Sequence, residues 1–298
     1  MADITFLGTS HVVPTKERNQ PSFLISHGAE NILVDCGEGT QRQFKIAGLN
    51  LFKLTKILIT HWHGDHILGL PGVLQSLALG NYPRTLQIYG PRNTKRFVEQ
   101  MLSMFIFQEK IKVEVHEISG GIFFEDKDIQ LEAYSMNHGT PCLAYNFIEK
   151  EKYNLDIEKL KKLGIQPGPI LKDLKEKGRI KFKGKTINVE NYSKIVPEKK
   201  ATFILDTMIN ENCVNAAKEA DFLIGEACFL KTEEKLALER KHLTAEQLGI
   251  IAKKAKVNKL ILTHISQRYN ARQKDVLNET KKMFKNSEIA HDFMKVNL

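Results

Sequence analysis

The run 61–66, His-Trp-His-Gly-Asp-His, constrains this chain more than any other part of its sequence. It follows directly on the apolar segment Lys56–Thr60, which has the composition of a strand. Four side chains of metal-ligand type therefore lie within six residues, on a loop that leaves a strand. In such a loop His61 and His63 can converge on one ion, while the adjacent Asp65 and His66 can face a second. Imidazole and carboxylate ligands together suit zinc or another borderline divalent ion, and iron or manganese can also occupy such sites.

One loop cannot fill two coordination spheres, so further ligands must come from elsewhere in the chain. Three polar residues stand at the ends of other predicted strands. His138 follows Ile129–Met136, and α/β folds place their sites at the mouths of strands. Asp206 and His264 have the same placement, at the ends of the predicted strands 201–205 and 259–265. The sequence therefore predicts one metal centre that includes His61, His63, Asp65, His66, His138, Asp206 and His264.

The order of strand and helix patterns is typical of an α/β fold. Short β-branched runs separated by Gly, Pro and Asn turns open the chain, and helical patterns then alternate with strands. The segment Thr244–Lys256 is predicted as a helix with Thr244 as its N-cap and a Gln three residues on. The alternation occurs twice and predicts two sheets covered by helices. The other predicted strands are 4–7, 22–26, 31–35, 86–89, 113–118, 143–148 and 221–227, and the other predicted helices are 91–107, 209–220 and 275–284.

Residues 149–200 differ from the rest of the chain in charge and in pattern. They carry 15 Lys and Arg against 8 Asp and Glu, which is +7 of the net charge of +9. Two short amphipathic segments, Asp156–Leu163 and Ile170–Lys177, flank a Pro-Gly-Pro sequence at 167–169. We interpret 149–200 as a basic arm inserted into a single domain that spans residues 1–298, and expect it to protrude. Its charge favours a polyanionic partner.

Length and composition exclude several classes of protein. A chain of 298 residues can bury a sizeable core. No apolar run reaches the ~18 residues of a membrane span, and the N-terminus lacks the features of a secretory signal. We therefore expect a cytoplasmic protein with no membrane partner. The four cysteines, Cys36, Cys142, Cys213 and Cys228, form no C-x-x-C pair and are expected to be small buried residues.

The run 61–66 matches the H-x-H-x-D-H loop of the metallo-β-lactamase superfamily, and the whole chain resembles, more narrowly, the ribonuclease Z family. The basic insertion, with Gly164–Pro169, stands where that family has its flexible arm. The resemblance implies a four-layer αβ/βα sandwich with a protruding flexible arm, and an endonuclease that trims the 3′ end of precursor transfer RNA. The other matching segments are Phe6–Ser10, Pro14–Asn19, Asp35–Arg42, Ser135–His138, Asp206–Thr207, His242–Ala245 and Thr263–Tyr269.

The resemblance also implies how the ligands are divided between two zinc ions per subunit. One ion would bind His61, His63 and His138, and the other would bind Asp65, His66 and His264. Asp206 would bridge them, since a carboxylate has two oxygens. A metal-activated hydroxide would attack the phosphodiester, leaving a 3′ hydroxyl on the transfer RNA and a 5′ phosphate on the trailer.

Two catalytic roles follow from the same resemblance. His242 matches the histidine that contacts the scissile phosphate and donates a proton to the leaving oxygen. The sequence does not identify the residue that orients it. Asp65 either accepts a proton as well as binding metal, or only orients the hydroxide, and both roles stay open.

The resemblance further implies contacts with RNA and a homodimer. Lys16 and Arg18 lie in the loop Pro14–Asn19, which matches the family element near the 3′ end of the transfer RNA. Arg268 follows the ligand His264 and could touch a phosphate. In the arm, the expected phosphate contacts are Lys172, Lys175, Lys177 and Arg179.

Two other functions fit parts of the sequence. A superfamily hydrolase of a small phosphodiester or ester would share the metal centre, but it would have no use for a basic arm. A non-catalytic RNA-binding protein would have no use for a filled set of seven ligands. Metal content separates the second alternative from the rest, and cleavage of precursor transfer RNA separates the first.

Overall fold

The computed structural model describes residues 1–106 and 111–298. Its strands are β1 (Asp3–Gly8), β2 (Ser22–His27), β3 (Glu30–Val34), β4 (Lys56–Leu58), β5 (Thr85–Gly90), β6 (Lys112–Glu117), β7 (Gly121–Glu125), β8 (Ile129–Asn137), β9 (Pro141–Glu149), β10 (Lys152–Leu155), β11 (Arg179–Phe182), β12 (Lys185–Asn188), β13 (Ser193–Val196), β14 (Lys199–Ile204), β15 (Phe222–Glu226), β16 (Lys259–Thr263), β17 (Ser287–Ile289) and β18 (Lys295–Asn297). Its α-helices are α1 (Thr40–Ile46), α2 (Gly64–Ile67), α3 (Leu70–Leu79), α4 (Thr94–Met104), α5 (Ile157–Lys162), α6 (Pro169–Lys177), α7 (Glu211–Ala217), α8 (Glu234–Arg240), α9 (Ala245–Ala255) and α10 (Gln273–Met283).

The first large sheet has the strand order β18-β1-β2-β3-β4-β5-β6. Its first strands pair antiparallel, and β3 to β6 run parallel. Successive side chains of a strand point to opposite faces. Leu7, Leu24 and Leu33 accordingly pack on one face in a single apolar cluster with residues of α1, α3 and α4. One face of this sheet is therefore covered by helices.

The second large sheet has the order β17-β16-β15-β14-β9-β8-β7, and β14 to β17 run parallel. Leu223, Leu260 and Leu262 share an apolar cluster with residues of α7, α9 and α10, which cover its outer face. Between the sheets, the ring of Phe23 in β2 lies 5.7 Å from the ring of Phe203 in β14. Two sheets between two helical layers give the four-layer α/β sandwich that the resemblance implied, so this prediction of the fold class is confirmed.

Most predicted elements are present, with ends shifted by a few residues. The prediction for Thr244 is confirmed, since its side chain and that of Gln247 form a reciprocal capping box at the start of α9. The predicted helix Pro91–Phe107 begins later, because Asn93 has a left-handed backbone with φ of 77°; Phe107 itself lies outside the described residues. All four cysteines are buried and free, as expected.

Contacts divide the chain into two compact units. The first consists of Met1–Phe124, Leu131–Phe147 and Lys200–Leu298, and it contains every predicted metal ligand. The second consists of Glu125–Gln130 and Ile148–Lys199. The second unit has its own apolar cluster, formed around Leu155, Leu160, Ile165, Leu174, Ile187 and Val189.

No helix within residues 1–106 and 111–298 is long and apolar enough to cross a membrane.

Candidate metal centre and active site

The predicted ligands meet because they follow strands that end at the same edges of the two sheets. His61 follows β4, which is a parallel strand in the first sheet. Asp206 and His264 follow β14 and β16, which are parallel strands in the second sheet. His138 follows β8 of the same sheet. The C-terminal ends of parallel strands are where α/β folds gather functional side chains.

Four of these residues form a first cluster of ligand atoms, all within 4.8 Å of one another: His61, His63, His138 and Asp206. The Nδ1 atom of His63 lies 3.0 Å from Nε2 of His61 and 3.1 Å from Nε2 of His138. The Asp206 Oδ2 atom lies 3.6 Å from Nε2 of His61 and 3.4 Å from Nε2 of His138. Three nitrogens and one oxygen thus surround a common point.

Asp65, His66 and His264 form a second cluster. The Oδ2 atom of Asp65 lies 3.3 Å from Nε2 of His66 and 3.3 Å from Nε2 of His264. Asp206 reaches this cluster with its other oxygen, since Oδ1 lies 3.6 Å from Nε2 of His66. One carboxylate therefore faces both clusters, with one oxygen turned to each.

Hydrogen bonds behind the clusters fix the orientation of the rings. His66 Nδ1 donates to Asp35 Oδ2 at 2.6 Å, and His138 Nδ1 donates to the Lys241 carbonyl at 2.8 Å. Asp35 also accepts from the backbone N–H and the hydroxyl of Thr60. Donation by Nδ1 turns Nε2 of each ring toward the cluster, which is the orientation of metal-binding histidines. The sequence reasoning missed Asp35, although it stands at the end of β3 as the other candidates stand at their strands.

The backbone near the site is tightly constrained. Asp35 and His264 both have a φ of 55°, a left-handed conformation that non-glycine residues seldom adopt. A Cβ on Gly69 would lie 2.0 Å from the Gly37 carbonyl oxygen, so only glycine permits that approach. The segments that follow β3 and β4 are joined there, because the His66 carbonyl accepts a hydrogen bond from the N–H of Cys36.

The donor set fits a divalent cation. Two buried atoms, His66 Nε2 and Asp206 Oδ1, make no hydrogen bond with any residue that the structure describes. Burial opposes a charge on His66, but Asp206, Asp35 and Asp65 outweigh it and raise the pKa of His66 well above its ordinary value. Burial lowers the pKa of His61, which keeps it the neutral imidazole that a metal requires. The centre therefore stabilises positive charge at the point where unpartnered ligand atoms converge.

His242 stands beside the clusters and has a partner that the sequence did not reveal. Its Nδ1 donates to Glu226 Oε2 at 2.7 Å and lies 3.9 Å from Asp206 Oδ2. Burial disfavours the charged ring, but the carboxylates of Glu226 and Asp206 raise the pKa of His242 to about 9. Glu226 is fully buried at the end of β15, and its place in an apolar segment was the signal available in the sequence. The arrangement provides a protonated imidazole next to the metal clusters.

Comparison with known proteins places these features in a family. A family model described as Anti-Pycsar protein Apyc1 matches residues 2–154, so this half of the chain, which holds the 61–66 run and His138, belongs to that family. Ribonuclease Z of Pyrococcus abyssi is 39% identical over 92% of this chain and 89% of its own length. Ribonuclease Z of Prochlorococcus marinus (strain NATL1A) is 37% identical over 99% of this chain and 98% of its own length. The chain belongs to the ribonuclease Z family.

Solved structures agree with the ribonuclease Z assignment. The crystal structure of human tRNase Z, short form, has a TM-score of 0.71 to this chain at 26% identity, and the match covers 99% of this chain and 98% of that one. The metallo-β-lactamase fold protein YhfI from Bacillus subtilis also gives a TM-score of 0.71, at 18% identity, over 99% and 98% of the two chains. The second likeness concerns the fold alone.

An open pocket leads to the metal clusters of this ribonuclease Z family member. His63, Asp65, His138, Asp206 and His242 all line it. Its remaining lining residues come from several loops and helices: His11, Val12, Gly64, Phe229, Leu236, Arg240 and Arg268. A substrate in the pocket can therefore reach the ligand clusters and His242 together.

Six of the seven residues predicted to contact RNA are exposed, and one is buried. Lys16, Lys172, Lys175, Lys177 and Arg179 are exposed. Exposed Arg268 donates to Glu233 at 2.6 Å and lies over the ring of Phe229 at the pocket.

Arg18 requires a correction. Its side chain is buried, with only 5% of the residue exposed. The guanidinium donates to Thr9 Oγ1, to the Ala290 carbonyl and to Gln273 Oε1. The prediction that Arg18 contacts RNA is therefore wrong, because its donors hold the loop Pro14–Asn19 to the body of the protein instead.

Glu226→Gln tests the electrostatic account of His242. Removing the carboxylate leaves burial to dominate, so the pKa of the ring should fall from about 9 by roughly 1–3 units. In the wild type the ring keeps its proton up to about pH 9, and in the variant it should lose it at lower pH. The measurement is an NMR titration of the histidine ring protons in metal-free protein. Glu246→Gln, which removes a carboxylate paired with Lys231, should leave the His242 titration unchanged; an equal shift in both variants would contradict the account.

Proposed function

We propose that this chain is a metal-dependent endoribonuclease that removes the 3′ trailer of precursor transfer RNA. The observation that carries the proposal is the pair of ligand clusters that share Asp206, in a chain related over nearly its full length to proteins named Ribonuclease Z. As a member of that family it is a transfer RNA 3′ endonuclease. The products are a transfer RNA with a 3′ hydroxyl and a trailer with a 5′ phosphate.

Two zinc ions per subunit are the proposed cofactors. His61, His63 and His138 would hold one, Asp65, His66 and His264 would hold the other, and Asp206 would bridge them. Imidazole-rich ligand sets of this kind suit zinc. When bound, two such ions neutralise the scissile phosphate and lower the pKa of an attacking water molecule.

The protein's own side chains then accept and donate the protons of the reaction. Both contacts of Asp65 within its cluster use Oδ2. Its Oδ1 is thus the oxygen that accepts a hydrogen bond or a proton from the attacking water. His242, held by Glu226, gives a proton to the departing 3′ oxygen of the transfer RNA. Both residues line the same pocket, which supports the proposal that acid and acceptor act on one substrate.

The basic arm is the proposed site that grips the body of the transfer RNA. The Lys and Arg side chains of 149–200 outnumber the acidic ones by 15 to 8. The compact unit that contains Ile148–Lys199 has its own apolar cluster, which gives these charges a folded support. Lys172 and Lys177 lie 3.9 Å and 3.1 Å from carboxylates one helical turn away, so part of their charge is offset within α6. At the other end of the substrate, Lys16 and Arg268 are the proposed contacts near the cut.

A homodimer in the cytoplasm is the proposed state of the protein. Family resemblance supports the dimer, and one surface feature agrees with it. Phe52 and Leu79, which are 37% and 64% exposed, line the same groove beside α1 and α3. Large apolar side chains that share an exposed groove are typical of an interface. A precursor transfer RNA substrate supports the proposed location in the cytoplasm.

Cleavage of a 3′-extended transfer RNA with mapped ends tests the activity. The wild type should release one trailer with a 5′ phosphate, and a chelator should abolish the reaction, because the ligand clusters then hold no ion. Asp65→Asn should lose most of the turnover while Asp275→Asn, an exposed carboxylate outside the site, keeps it. Hydrolysis of a small phosphodiester without trailer release would favour the alternative of a small-substrate hydrolase. Trailer release that survives complete metal removal would reject both.

Charge removal in the arm tests the proposed RNA grip. A variant with Lys172, Lys175, Lys177 and Arg179 changed to Gln should bind precursor transfer RNA more weakly. The slope of log affinity against log salt should decrease by about 3, since each phosphate contact contributes roughly 0.7–0.9. Hydrolysis of bis(p-nitrophenyl) phosphate should not change. The matched control replaces four exposed lysines of α9 and α10 with Gln, at 253, 254, 281 and 282; an equal loss in both variants would refute a specific role for the arm.

Light scattering after size-exclusion chromatography tests the dimer. The wild type should have twice the chain mass of 34.0 kDa. Leu79→Glu should give the mass of one chain, because a buried unpaired carboxylate disfavours an apolar interface. Leu238→Glu, at a 61% exposed residue of α8, should keep the mass of the wild type. A Leu79→Glu protein of unchanged mass would exclude this groove as the interface.

A further inference from the structure

A second group of potential ligands lies beside the proposed two-metal centre. One ligand atom each from His11, Cys228, His242 and His264 lies within 4.8 Å of the others. Only His264 has a place among the seven proposed zinc ligands. Neither His11 nor Cys228 has a part in the mechanism above.

Four separate segments of the chain bring this group together. His11 comes from the loop between β1 and β2, and its ring centre lies 5.3 Å from that of His242 and 4.8 Å from that of His264. Its ring nitrogens make no hydrogen bond within residues 1–106 and 111–298. Cys228 follows β15, is fully buried, and places its sulfur 3.0 Å from Nδ1 of His264. His242 uses Nδ1 for Glu226, which leaves its Nε2 as a ligand atom.

We propose that His11, Cys228 and His242 form a third metal site that takes up zinc supplied in excess and thereby inhibits the enzyme. Two imidazoles and a thiolate are a preferred ligand set for zinc, with the fourth position open to water. The inhibition rests on the proposed function, because a zinc ion on Nε2 of His242 prevents that ring from giving a proton to the leaving oxygen.

The geometry and charge of the group suit such an ion. Zinc–nitrogen and zinc–sulfur bond lengths require ligand atoms roughly 3.3–3.8 Å apart, so side chains whose ligand atoms lie within 4.8 Å of one another must rotate to bind an ion. The Cys228 proton and the Nε2 proton of His242 leave to solvent when the ion binds, so a thiolate and an unprotonated imidazole nitrogen face the metal. With the Glu226 carboxylate behind His242, the two negative charges balance a divalent ion.

His264 remains a ligand of the two-metal centre. Its Nε2 faces Asp65 at 3.3 Å, whereas Cys228 lies on the Nδ1 side of the ring. The third site therefore lies on the Nδ1 side of His264, where Asp206 Oδ1 is also 3.2 Å from that nitrogen, and it does not use His264 as a ligand. Occupation of the third site does not require loss of either of the other two ions.

Cobalt titration of metal-free protein tests the site without an activity assay. Cobalt bound to a thiolate gives a sulfur-to-metal charge-transfer band in the near ultraviolet, and the nitrogen and oxygen ligands of the two-metal centre give none. The band should develop with the third equivalent. It should be absent in Cys228→Ser and present in Cys213→Ser, which changes a buried cysteine elsewhere in the core. His11→Ala should weaken the binding that produces the band by about 10–100-fold, the range that one contact around a metal is worth.

Zinc inhibition of trailer release is the functional part of the test. Each protein is compared with its own activity at two equivalents, so that a general loss of turnover does not affect the result. The wild type and Cys213→Ser should be inhibited by excess zinc, while Cys228→Ser should need about 10–100-fold more. Absence of the cobalt band in folded wild type that binds two equivalents would overturn the third site and leave the proposed endonuclease intact. Absence of trailer release with the band present would overturn the proposed function and leave the site.

Discussion

The carboxylate of Asp206 is the charge about which the metal centre is arranged. It is 3% exposed, and the side chains of His61, His66, His138, His242 and His264 all lie within 3.9 Å of its oxygens. Burying a carboxylate in this way costs several kcal/mol unless positive charge compensates it. Burial opposes ionisation, yet the pKa of Asp206 is held well below its ordinary value, chiefly by His264, His66 and His242. Strand ends from both sheets have to meet at this one residue, so the sandwich and the site depend on each other.

The sequence predicted which side chains the fold brings together in the two clusters, because their chemistry is unusual at their positions. Polar side chains at the ends of apolar strands are few. His61, His138, Asp206 and His264 belong to that class, and His63, Asp65 and His66 come directly after His61 in the chain. The four-layer fold followed from the alternation of strand and helix patterns together with the resemblance. Helices α1 and α3 were not predicted, since the Gly-rich segments around them resemble loops in a linear sequence.

The roles of other residues could not be predicted, because they depend on contacts between segments that are far apart in the sequence. Glu226 reaches His242 from a strand whose register places Glu226 opposite Thr263, next to His264. That register is a property of the folded sheet. Arg18 was wrongly assigned to RNA because an arginine in a basic loop is usually exposed, whereas here three internal acceptors satisfy its donors. In both cases the role of a buried charged side chain depends on partners that are far away in the sequence.

The separate apolar cluster of the arm has a consequence for how such enzymes diversify. Its six buried residues pack with one another, so the folding of this segment is specified largely within its own sequence. All seven proposed metal ligands belong to the other unit. A lineage can therefore lengthen, shorten or recharge the arm, and so alter the RNA grip proposed for it, without changing the residues that form the ligand clusters. Selection on the proposed grip and selection on the metal centre would then act on largely different stretches of the gene.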